Sequence, residues 1–141
     1  MSVPSDTSDE VRLAIPAHHE YGRIARIATA TLALRLGFSY REVQDLRLAV
    51  DETLILLLGQ DEPWPAVEAK KNTDAGRVEI RFVVTHHKIQ IRLAADFATH
   101  MTAESKERYA MFMADLVDEW YLSDDERSLR LHKVHDASGV D

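Results

Sequence analysis

The chain has 141 residues, 45% of them apolar and 29% charged, which suits one globular domain and excludes disordered, collagen-like and coiled-coil chains. It contains no cysteine, so disulfides, thiolate metal sites, iron–sulfur clusters and cysteine nucleophiles are excluded. The net charge of −7 argues against direct nucleic-acid binding, which needs clustered Lys and Arg, and suits a basic protein partner or solubility alone.

Residues 1–9 read as a flexible tail, rich in Ser, Asp, Thr and Pro and without periodicity. Met1 to Glu10 is polar and acidic, unlike a secretory leader, and no apolar run approaches the ~20 residues needed to span a bilayer. A cytoplasmic protein without a membrane segment is the expectation. Val11, Leu13 and Ile15 alternate with Arg12 and Ala14, predicting a strand that Pro16 ends. From about Ala17 to Leu36 apolar residues recur at helical spacing, at Ile24, Ile27, Ala28, Thr31 and Leu34, and Gly37 stands where a left-handed cap belongs. Ser39-Tyr40-Arg41-Glu42 is a capping box, with Phe38 and Val43 at staple positions. The helix it opens carries Val43, Leu46, Val50, Thr53, Leu54 and Leu57.

Residues 59–76, with Gly59, Pro63, Pro65, Asn72, Asp74 and Gly76, predict a loop holding at most one helical turn at Val67–Lys71. Val78, Ile80 and Phe82, then Ile89, Ile91 and Leu93, alternate with polar residues, so two strands form a hairpin across Thr85-His86-His87-Lys88. A third helix is predicted from about Thr102 to Trp120 on the stripe Tyr109, Phe112, Met113, Leu116, Val117 and Trp120. Leu129 and Leu131 alternate with Arg130 and His132 in a closing strand. Strand, helix, helix, strand, strand, helix, strand is the order of an α+β two-layer α/β sandwich with a mixed or largely antiparallel sheet. It forms one domain over 10–135, followed by a C-terminal tail at 136–141.

Few residues announce chemistry. On the second helix, positions 45, 48, 49, 52 and 56 share one stripe, so a carboxylate there could serve as a general base if it faced a cleft. From spacing alone, Asp51 and Glu52 read first as solvated helix charges. The pairs His18-His19, His86-His87 and His132/His135 lack the three or four convergent ligands that a metal needs, so no metal site is expected. The glycines are isolated and build no phosphate cradle. Asp115, Asp118, Glu119, Asp124, Asp125 and Glu126 lie in a stretch without Lys or Arg, either a solvated helix end or a docking surface for a basic partner.

The runs Leu13-Ala14-Ile15-Pro16-Ala17, Leu36-Gly37-Phe38-Ser39 and Asp45-Leu46-Arg47-Leu48-Ala49-Val50-Asp51-Glu52, with Leu116-Val117-Asp118-Glu119, resemble the anti-sigma factor serine kinases. These belong to the GHKL ATPases, which share the Bergerat fold. The resemblance covers about residues 11–134. It implies a two-layer sandwich that sequesters a sigma factor and is released by a STAS-domain anti-anti-sigma protein, which many members phosphorylate with ATP. The family's site uses Glu-x-x-x-Asn on a helix, Asp-x-Gly-x-Gly at a strand end and a glycine-rich lid.

Carried over position by position, Glu52 matches the catalytic base and Asp96 the residue that accepts from the adenine amine. The magnesium-binding Asn is replaced by Leu56, the two glycines by Ala98 and His100, and the lid falls near Lys106–Met111, where Glu107 and Tyr109 stand in for glycine. These losses predict an anti-sigma-like protein that works by binding, without ATP, Mg2+ or kinase activity. The resemblance also implies a homodimer and an interaction surface around helix one and the Asp45–Glu52 helix. An active kinase using Glu52, Asp96, ATP and Mg2+ is the alternative. A small-ligand sensor with a cleft made apolar by Leu56 and Tyr109 is a third.

Overall fold

A computed structural model describes residues 8–59 and 76–135. Strand β1 (Asp9–Pro16) leads through a short 3-10 turn (His19–Tyr21) into helices α1 (Gly22–Arg35) and α2 (Tyr40–Leu58). Strands β2 (Arg77–Thr85) and β3 (Lys88–Ala95), helix α3 (Ala103–Leu116), and strands β4 (Glu119–Leu122) and β5 (Ser128–Val134) follow. The sheet order is β1-β2-β3-β5-β4, and every pairing is antiparallel. The helices cover one face, so the α+β two-layer arrangement expected from the element order is the one formed.

Local chemistry explains the best-defined elements. Gly37 adopts φ +84 after α1, a left-handed conformation that glycine reaches without steric cost. Ser39 Oγ accepts from the backbone N–H of Glu42 at 3.1 Å, while Ser39 N–H donates to Glu42 Oε1 at 2.7 Å, so both arms of the capping box are made. Phe38 and Val43 are buried beside it. Every predicted core position of α2 is buried, from Val43 to Leu57. In the sheet, Phe82, Ile91 and Leu131 are fully buried and paired in register, and Ile80, Leu93 and Leu129 form the next row.

Two expectations need correction. The stripe Ile24, Ile27, Thr31 and Leu34 faces away from the core: Ile24, Ile27 and Leu34 are 47%, 57% and 61% exposed. The inward face is Gly22, Ala25, Thr29 and Ala33, all buried. Small residues there allow close approach to α2; a Cβ at Gly22 would already stand 3.4 Å from Leu54 Cδ1. The third helix stops at Leu116, and Glu119–Leu122 forms β4 on the sheet edge. Val117 turns the chain into extended backbone, and the Lys133 ammonium donates to the Leu116 carbonyl at 2.9 Å, satisfying a helix-end acceptor. The predicted helical turn at Val67–Lys71 lies outside the described residues.

Candidate functional site

The C-terminal half of α2, the segment His100–Thr102 and the start of α3 enclose an open cleft of about 290 Å³. That lies at the lower end of the volumes usual for ligand pockets. Glu52, Leu56, His100, Glu104, Arg108 and Tyr109 line it. Glu52 and Leu56 are one helical turn apart and therefore share a face.

Glu52 is 9% exposed, and burial raises its carboxyl pKa above the ordinary value. Arg108 opposes this rise, its guanidinium 3.7 Å from Glu52 Oε1, and the neighbouring Asp51 charge adds to it. Arg108 also lies over the Phe112 ring, 5.1 Å from its centroid. Asp51 points elsewhere: its carboxylate accepts from Arg26 at 2.8 Å and ties α1 to α2.

Leu56, at the position matched to the magnesium ligand, is 6% exposed and presents only carbon to the cleft. Tyr109 belongs to the core as well as to the wall. Its hydroxyl lies 2.7 Å from Thr53 Oγ1, which also donates to the Ala49 carbonyl at 2.8 Å. Its ring meets Trp120 edge-on with centroids 5.2 Å apart. Burial pushes its phenol far up, so it stays protonated. The segment matched to the lid, Lys106–Met111, is the middle of α3. Helix α3 starts on a second capping box, in which Thr102 and Ser105 exchange hydrogen bonds at 2.9 and 3.0 Å.

Asp96 lies outside the cleft lining. Its Oδ1 accepts from the Arg77 backbone N–H at 2.8 Å, where β3 ends beside the start of β2. Gly76, at φ +110, leaves the room this needs: a Cβ there would come within 2.8 Å of that oxygen and 2.7 Å of Phe97 Cδ1. Among the described residues, Asp96 is not part of the cleft lining that holds Glu52.

No group of three or more His, Asp or Glu among the described residues could hold a metal. His135 has a structural partner that its spacing did not reveal, Nδ1 lying 2.9 Å from Glu42 Oε1 with the ring stacked on Phe38. In the acidic stretch, Asp118 accepts from the Val134 N–H at 2.7 Å, Asp125 caps the β4–β5 turn, and Glu126 pairs with Lys106 at 2.6 Å. These carboxylates organise the hairpin that the sequence reading missed. No helix of the described residues is long and apolar enough to cross a membrane.

No family model matches the chain. It is similar to curated proteins of one kind. It is 27% identical over 100 residues to the serine-protein kinase RsbW of Listeria monocytogenes serotype 4a (strain HCC23), covering 71% of this chain and 58% of that protein. It is 32% identical over 90 residues to the serine-protein kinase RsbW of Bacillus pumilus (strain SAFR-032), covering 64% and 52%. To the protein of that name from Bacillus subtilis (strain 168) it is 29% identical over 89 residues, covering 63% and 51%. The chain thus spans about half the length of the curated relatives it matches. These matches support the resemblance to the anti-sigma factor serine kinases.

Proposed function

We propose that this relative of the RsbW serine-protein kinases is a partner-switching regulator that holds a sigma factor and is antagonised by a STAS-domain protein, without binding ATP or transferring phosphate. The observation that carries the binding function is the outward face of α1. Ile24, Ile27 and Leu34 stand in solvent on one side of the helix, flanked by Arg23 and Arg35, and α1 contains no acidic residue. A folded domain rarely leaves such a face apolar unless something covers it.

The residues of the cleft do not fit a magnesium-bound triphosphate. Leu56 has no oxygen donor, Glu52 is engaged by Arg108, and the lid segment is a helix whose Tyr109 is packed into the core. Ala98 and His100 replace glycines whose bare backbone would let a phosphate approach. Mutual exclusion of two partners requires only overlapping surfaces and different affinities.

Isothermal titration with ATP and Mg2+ tests the reading directly. The expected outcome is no heat of binding at millimolar nucleotide, together with tight binding of a sigma factor from the same cells. Micromolar ATP affinity, or labelled phosphate transferred to a STAS protein, would establish the active kinase instead.

A further inference from the structure

The face of the sheet opposite the helices carries a feature that nothing in the cleft explains. Arg12 pairs with Arg81, Arg81 with Arg92 and Arg92 with Arg130, so one arginine from each of β1, β2, β3 and β5 stands in a single row. Tyr121 of β4 ends the row beside Arg130. Directly paired residues project to the same side of a sheet, and like charges in that relation are destabilising. Folding gains nothing from such a row, and an acidic chain of net charge −7 has no excess of cations to place there by default.

The row is only partly neutralised. Glu10 lies 2.8 Å from Arg12 and 3.0 Å from Arg81, and Glu79 in the adjoining row also acts on Arg12. Among the described residues, Arg92 and Arg130 have no ion-pair partner. They border an open depression of about 380 Å³ with Tyr121, Ser128 and Asp124.

We propose that this open sheet face docks an acidic helix of a protein partner, with carboxylates on successive turns seated along the row Arg12–Arg81–Arg92–Arg130. The spacing fits. Neighbouring strands lie about 4.8 Å apart, so the row is about 14 Å long. Carboxylates at i, i+4 and i+7 of a helix stand about 5–6 Å apart along one face, close to that pitch. Arginine is also the side chain best shaped to grip a carboxylate through two parallel hydrogen bonds. A nucleic acid fits less well: its unbroken run of phosphates would have to pass Glu10, which already engages Arg12 and Arg81, and extend into the field of an acidic protein, whereas a helix can confine its few carboxylates to the row. The inference is independent of sigma-factor binding, and its test uses neither nucleotide nor sigma factor.

The probe is a fluorescent alanine-based helical peptide of about 20 residues with glutamates at i, i+4, i+7 and i+11. A second peptide has the same composition with its glutamates spread around the helix. Anisotropy at low salt is expected to show at least tenfold tighter binding of the striped peptide, lost in Arg92→Gln/Arg130→Gln and weakened by added salt. The variant is expected to melt at the same temperature as the parent or higher, because it relieves repulsion between paired strands. Equal binding of the two peptides, or undiminished binding by the variant, overturns the proposal. So does tighter binding of a single-stranded DNA oligonucleotide. Self-association of the free protein that the variant abolishes would make the face a homotypic interface and overturn it equally.

Discussion

Glu52 shows how burial and a neighbouring cation act in opposite directions on one carboxyl group. It stands on the cleft side of α2, yet burial holds its carboxyl pKa above the ordinary value and Arg108 is the charge beside it. For a raised acid, the folded state binds more protons than the unfolded state between the two pKa values. The contribution of Glu52 to stability is therefore greatest below about pH 4.5 and declines as pH rises through its folded pKa. Glu52→Gln mimics the protonated form at every pH. Urea denaturation at pH 4 and pH 7 is expected to show the variant gaining stability relative to the parent at the higher pH. A gain at the lower pH instead would mean that the Arg108 attraction outweighs desolvation. The identities of Glu52 and Leu56 were legible from spacing and resemblance. Tyr109 was legible as part of the apolar stripe of α3 and as a misfit in a lid, but its bond to Thr53 joins residues 56 positions apart and leaves no local trace.

Helix α1 shows where periodicity misleads. Its large apolar residues define a stripe, and the ordinary inference turns such a stripe inward. Here the buried face is Gly22, Ala25, Thr29 and Ala33, small residues that let α1 pack closely on α2. The exposed stripe is then available to a partner. Ile27→Ser/Leu34→Ser is expected to change folding stability by no more than about 0.5 kcal/mol, as exposed substitutions do, while reducing sigma-factor affinity at least tenfold in a pull-down calibrated by titration. Unchanged affinity would move the interface off α1. By contrast, α2 was legible in full, since its cap, staple and core stripe are local signals that agree with one another. Strand β4 was not. Met113, Leu116, Val117 and Trp120 continue a helical spacing, and only pairing with β5 makes 119–122 a strand.

For the molecule as a whole, the proposed exchange of partners has a quantitative consequence. If the sigma factor and the STAS protein occupy overlapping surfaces, each weakens the other by the same factor. The apparent dissociation constant for the sigma factor is expected to rise in proportion to added STAS protein, with no nucleotide present, as measured by fluorescence competition. A stable complex of all three proteins on gel filtration would contradict exclusion. The α1 face and the sheet face lie on opposite layers of the domain, so engagement of the arginine row leaves α1 open.

Alternation along β1, β2, β3 and β5 was enough to say which residues face the helices and which face away, because side chains in a strand repeat every second residue. Capping signals likewise set the limits of α2, because they act within one turn. Strand register is another matter. Sliding a strand by two residues keeps every side chain on its own face, so alternation permits several registers and cannot show that Arg12, Arg81, Arg92 and Arg130 stand in line. That alignment, the outward turn of α1 and the burial of Tyr109 against α2 arise from contacts between distant segments, which form only when the layers pack.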